Sequence, residues 1–290
     1  MRSLAILLLA LWGPAGAAPS DTTAPGPITA YTRYLAALDN EDLDAISRGV
    51  DYFKAHITRL PVAEIDSACV GFMLFLDATI SHHNDVIWED LDFMEQLHDH
   101  GAGTDPDMEA YRNTLDRNGL SLYTFGRLYY VDQKSDYLYH RFAPYVSRAV
   151  RDYLILRRDE LAVGFADDAT LLISLTDLGA RIIRWEKYLA EHPQSVVVDF
   201  ASYYYRTYLN TLLTGLKNTP VFDGNGIIRP LFVTAYDDFS KRYSDTDSGD
   251  LIRQFYAILI ISDFRWSPGI KAFYVDHGIR NMHTAQLPLR

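Results

Sequence analysis

Cysteine is almost missing. Cys69 is the single one in 290 residues, so no intrachain disulfide can form and the fold must hold by its core. Basic clusters are missing too. Against 38 acidic residues stand 27 basic ones, for a net charge of −11, and "ILRRDE" at 155–160 is neutralised locally. That balance argues against nucleic acid or an anionic lipid surface as partner, since both require a basic footprint. No late apolar run is long enough for a bilayer, which needs roughly 20 residues; "FYAILII" at 255–261 is helix-core length. No Gly-x-Ser-x-Gly elbow, His-Glu-x-x-His or Cys-x-x-Cys occurs, and "GLKNTPVFDGNG" at 215–226 lacks the lysine and Ser/Thr of a phosphate loop. Cys69 shares a helical stripe with Ile65, Phe72 and Leu76, where it serves as a small apolar filler.

What is present begins with a short basic start, the apolar run "LAILLLALW" from Leu4 to Trp12, and Ala15-Gly16-Ala17. These read as a secretory signal peptide over residues 1–17, cleaved after Ala17. Export to the periplasm or secretion follows as an expectation. Losing Arg2 leaves 26 basic residues against 38 acidic ones, a mature net charge near −12, and no membrane span. Residues 18–27, "APSDTTAPGP", read as a Pro/Thr-rich leader.

From residue 28 apolar residues recur at three- and four-residue intervals, the mark of amphipathic helices. The spacing predicts helices near 28–38, 41–57, 61–81, 85–99 and 106–117, helped by Asn40, Pro61 and Asp105-Pro106 as start signals. At 120–132 "LSLYTFGRLYYVD" is rich in β-favouring residues and predicts a small β-hairpin, with a kinked helix as the alternative. Helices resume near 136–159, 169–191, 195–216, 228–243, 247–262 and 267–276. The fold class expected is mostly α, one helical domain over 28–280, with sub-units 28–117 and 136–280 joined through the hairpin.

Two stretches look like copies. At an offset of 51 residues Trp185 meets Tyr236, Tyr188 meets Phe239, His192 meets Tyr243, Ser195 meets Thr246, and Tyr204 meets Phe255. Each copy is a helix, a polar turn and a second helix, with aromatic faces that one α-hairpin cannot bury alone. "YHRFAPYVSRAV" at 139–150 keeps the proline after a helix turn and loses most other matches. "YLAEHPQS" with the helical run after it resembles the helix–turn–helix joint of tetratricopeptide-like (TPR-like) repeats over about 185–262. That resemblance implies stacked helical hairpins in an α-solenoid.

Candidate chemistry is sparse. "SHHNDVIWEDLDFMEQLHDHG" at 81–101 gathers imidazoles and carboxylates; solvated helix ends account for it, and the alternative is a metal held by His82, Glu95 and His98. Asp167 and Asp168 precede an apolar helix, where carboxylates cap free N–H groups; the alternative makes one of them a general base or a sugar ligand. Glu186 beside Trp185, with Tyr204 and Tyr205 in "SYYYRTYL", suggests an aromatic strip for a peptide or glycan, although tyrosines at helical spacing are mostly core. These expectations include no catalytic residue and no cofactor. The function expected is a non-enzymatic scaffold binding a protein, peptide or glycan; the alternative is an envelope hydrolase or metal-dependent enzyme using carboxylates and histidines in a helical cleft.

Overall fold

The structure, a computed structural model, describes residues 25–100, 106–125 and 128–282. The expected signal peptide lies outside the described residues, as do 18–24 of the leader. The described chain is about two-thirds helical, with twelve helices and three two-stranded antiparallel pairs. Among the described residues no helix is long and apolar enough to cross a membrane. Contacts divide the chain into two units, Met1–Gln133 and Lys134–Arg290.

Unit 1 contains α1 (Pro27–Ala36), α2 (Asp44–His56), α3 (Val62–Glu89), α4 (Leu91–His100), α5 (Pro106–Arg117), β1 (Leu120–Phe125) and β2 (Leu128–Gln133). Tyr31, Ile46, Phe53, Cys69, Phe72 and Leu76 lie in its core. The hairpin expected at 120–132 is present, in a register pairing Leu122 with Val131. The break expected between 81 and 85 is not: α3 runs on to Glu89 because "SHHND" holds neither proline nor glycine. The break falls instead at Asp90, whose extended backbone leaves the helix and whose Oδ1 accepts from Phe93 N at 2.9 Å. The extra turns have a use. Asn84, buried on α3, donates Nδ2 to Val131 O at 2.9 Å and accepts Val131 N–H through Oδ1 at 2.6 Å, while Trp88 Nε1 donates to Tyr129 O at 2.9 Å. One amide side chain therefore does for β2 what a third strand would do.

Unit 2 contains α6 (Tyr137–Phe142), α7 (Arg148–Val163), β3 (Ala166–Asp167), β4 (Thr170–Leu171), α8 (Leu175–Glu191), α9 (Val198–Thr214), β5 (Gly215–Leu216), β6 (Thr219–Pro220), α10 (Pro230–Arg242), α11 (Asp247–Ile261) and α12 (Pro268–Asp276). The single helix expected at 136–159 is two, because Pro144 supplies no N–H and stands in the turn between α6 and α7. The 51-residue offset reaches this shorter hairpin after all. Tyr137, Tyr188 and Phe239 are buried at equivalent places, and so are Val146, Val197 and Ser248, then Val150, Ala201 and Ile252. In each first helix the residue four places on lies against that ring: Arg141 over Tyr137, His192 on Tyr188, Tyr243 on Phe239, at 5.3, 4.9 and 4.9 Å. The copy is hard to read in the sequence because its first helix has only six residues.

Local chemistry sets the ends of these helices. Ser147, Ser174 and Thr246 cap α7, α8 and α11 with side-chain oxygens, satisfying donors that a helix start leaves open. Gly164 and Gly215, again 51 apart, end α7 and α9 with φ of 74° and 71°. A Cβ on Gly215 would come within 2.5 Å of Thr219 O, so only glycine fits that exit. Between the hairpins Gly179 lets α8 approach α10: a Cβ there would meet the Phe239 ring at 2.8 Å.

Candidate functional site

A buried cluster of charged side chains lies between α7, α8 and α9. Glu160 is buried; its Oε1 accepts from Trp185 Nε1 at 2.8 Å, and its Oε2 accepts from Tyr208 OH at 2.8 Å and Arg157 at 3.0 Å. Arg157 lies 3.8 Å over the Tyr204 ring, and buried Arg181 donates to Gly164 O at 2.6 Å. Burial disfavours charge on Arg157, but the hydroxyls of Tyr204, Tyr208 and Tyr153 together with Glu160 outweigh it and hold the guanidinium charged. Burial first, and Glu160 second, push the Tyr208 hydroxyl well above the usual phenol range.

Every buried side-chain polar atom among the described residues has a partner, so these groups are spent on one another. At the next joint the equivalent positions are apolar or neutral: Arg157, Glu160 and Arg181 give way to Tyr208, Thr211 and Phe232. One joint of unit 2 is therefore charged where the equivalent positions of the next are not.

The residues singled out in the sequence divide accordingly. Trp185 is wholly buried, with Tyr204 stacked on it at 5.4 Å; this pair is a core joint and does not form an open strip. Glu186 accepts from Asp247 N and Ser248 N at 2.8 and 3.2 Å, so it caps α11 from α8. Tyr205 OH meets Ser248 Oγ at 3.0 Å beside it. Asp167 and Asp168 do not cap α8, a role taken by Ser174. Asp167 sits in β3, and Asp168 and Ala169, with φ of 43° and 54°, make the two-residue turn to β4. Asn218 pins that turn, donating Nδ2 to Asp168 O at 2.5 Å. His82 has Glu41 as a distant neighbour at 3.9 Å, Glu95 is exposed on α4, and the side chain of His98 lies outside the described residues. No group of three His, Cys, Asp or Glu placed to hold a metal is present among the described residues.

A different place collects exposed apolar surface. The chain leaves α11 through Asp263 and Phe264, both left-handed at 51° and 56°, and then pairs with 226–228. Ile228 N donates to Phe264 O at 3.0 Å and Trp266 N donates to Gly226 O at 2.8 Å. Gly226 leaves room for Trp266, whose Cβ would lie 3.4 Å from an added methyl. The indole stands edge-on to Phe222 at 5.4 Å and tilted to Tyr274 at 5.9 Å. Tyr274 is fixed in turn by its hydroxyl on Leu213 O. Trp266 remains 50 % exposed on this base, and on the helices that precede and follow it Ile260 and Ile261 at the end of α11 and Val275 on α12 are 55, 85 and 72 % exposed. A ring held by two others and left half exposed is a firm apolar ledge.

Sequence reasoning missed this ledge. The signal was "FRWSPG", where a tryptophan falls out of helical register between a helix and a Pro-Gly start. No protein-family model, curated protein or solved structure matches the chain.

Proposed function

We propose that this is an exported scaffold, periplasmic or secreted, whose helical hairpins stack in a TPR-like array and hold a protein partner without catalysis. The observation that carries the reading is the Trp266 ledge: a half-exposed indole in contact with the Phe222 and Tyr274 rings, with exposed isoleucine at the end of α11 and exposed valine on α12. Aromatic anchors on a firm base supply much of the energy at protein contacts. The 51-residue recurrence of buried positions supports the array, and the Met1–Ala17 pattern supports export. The buried carboxylate and guanidinium groups between α7 and α9 fit a joint better than a reacting centre, because both carboxylate oxygens of Glu160 already accept hydrogen bonds.

The test places a photo-crosslinking residue at Trp266 or Val275, and as control at Lys187, in the intact exporting cell. Adducts at the first two positions and not at Lys187 support the reading. No adducts, or adducts equally at Lys187, overturn it. N-terminal sequencing of the same protein reports on export: a start at Ala18 supports it, and a retained Met1 overturns it.

A further inference from the structure

Charge is distributed very unevenly along this chain. Up to Gln133 it has 8 basic and 20 acidic residues; from Lys134 on it has 19 and 18. Unit 1 therefore carries −12 and unit 2 +1. Two copies meeting through unit 1 would oppose like charge, whereas copies meeting through unit 2 would not.

The Trp266 end also has charges of both signs. Arg229, Arg265, Lys271, Asp263 and Asp276 are exposed there, and none of the five is in a salt bridge among the described residues. Where charges pair across a two-fold axis, each cation must find an anion on the identical patch, so such a surface carries both signs. Earlier in unit 2 each hairpin is faced by a helix of the next: Tyr188 of α8 donates to Ala149 O of α7, and Tyr236 of α10 donates to Leu212 O of α9. On α11 the following layer is the nine-residue α12, and Ile260 and Ile261 stay uncovered. Stacked repeats leave open at an end the kind of surface that further layers cover.

We propose that a second copy of this chain covers the Trp266 end of unit 2, forming a two-fold dimer in which Trp266, Ile261 and Val275 of both protomers become buried. Asp263 and Asp276 of one protomer face Arg265 and Lys271 of the other. The proposal rests on the reading of this end as a contact surface and names its occupant.

Sedimentation equilibrium of the exported protein over about 1–100 μM tests it, because the dissociation constants of specific dimers commonly fall at or below that range. The expected mass rises toward twice that of one chain. Ile261→Asp and Trp266→Ala weaken association by about 30-fold or more, the effect of losing a buried anchor, with unchanged helical circular dichroism. Val163→Asp, at an exposed valine on α7, leaves it intact. A second variant set carries Lys271→Glu with Arg265→Glu, or Asp263→Lys with Asp276→Lys. Each is expected to self-associate poorly, and the two mixed together to pair. A monomer at every concentration overturns the proposal, as does a dimer indifferent to Ile261→Asp or a failure of the mixed variants to pair. A monomer that still forms Trp266-dependent adducts with another protein overturns the dimer and leaves the contact surface standing.

Discussion

Trp185 lies against Tyr204 with ring centroids 5.4 Å apart, and 51 residues farther on Tyr236 lies against Phe255 at 5.3 Å. The first pair is stacked and the second is edge-on, so positions repeat while ring geometry does not. Each first-helix ring also donates a hydrogen bond across to an older hairpin: the Trp185 indole to Glu160 on α7, the Tyr236 hydroxyl to Leu212 O on α9. One ring therefore joins two helices sideways and two hairpins lengthwise.

Glu160 carries the charged version of that joint. Replacing it with leucine leaves Arg157, the Trp185 indole and the Tyr208 hydroxyl without their acceptor. The loss expected is about 3–5 kcal/mol, the usual cost of breaking a buried pair from one side. Glu160→Gln keeps an acceptor and should cost less. Urea unfolding followed by tryptophan emission measures both, and a leucine variant as stable as the parent would contradict the joint.

Gly179 holds the spacing between α8 and α10. Gly179→Ala should destabilise by about 1–3 kcal/mol through overpacking against Phe239. Adding Phe239→Leu should recover part of the loss, giving a double-mutant coupling that two unrelated sites would not show. Thermal melts of the four proteins decide it.

Asn84 ties the hairpin of unit 1 to α3. Asn84→Ala strips Val131 of both partners and should cost about 2 kcal/mol or more, as buried amide and carbonyl groups go unpaired. Asn84→Asp keeps the acceptor for Val131 N–H and loses the donor for Val131 O. Hydrogen exchange should show faster exchange at Val131 in both variants and unchanged rates in α9.

Sequence pattern made much of this readable. The alternation at 120–132 predicts the hairpin, and the aromatic spacing predicts the hairpins α8–α9 and α10–α11. Other features depend on facts that spacing does not contain. Trp185 and Tyr204 look like an open strip because tyrosine and tryptophan serve equally in cores and at surfaces; a glutamate 25 residues earlier decides for the core. Asp167 and Asp168 carry a sound capping signal, yet β3 claims the first and the turn after it the second, and Ser174 does the capping. Trp266 stands out only when the pairing of 226–228 with 264–266 is known.

His83 makes unit 1 sensitive to mild acid. Its Nε2 lies 2.7 Å from the Tyr111 hydroxyl. Burial, and secondly neighbouring His82, lower its pKa below the ordinary 6.5, while burial raises that of Tyr111. Both groups thus favour their neutral forms in the fold. Below pH 6.5 the unfolded chain takes up a proton that the folded one resists. The stability this pair contributes is therefore present above that pH and is lost as pH falls toward the lowered value. Melting temperature between pH 7.5 and 5 should drop less steeply for His83→Phe than for the parent; equal slopes would contradict the assignment.

The recurrence of one hairpin at 51-residue steps is tested most directly by distances between spin labels. Arg148, Asp199 and Asp250 are equivalent exposed positions near the starts of α7, α9 and α11. Each pair is replaced by cysteine in a Cys69→Ala background and measured by double electron–electron resonance. Equivalent hairpins in a regular stack give the same separation for 148–199 as for 199–250, with 148–250 the longest. Two clearly unequal steps, or a 148–250 distance shorter than either, would contradict it.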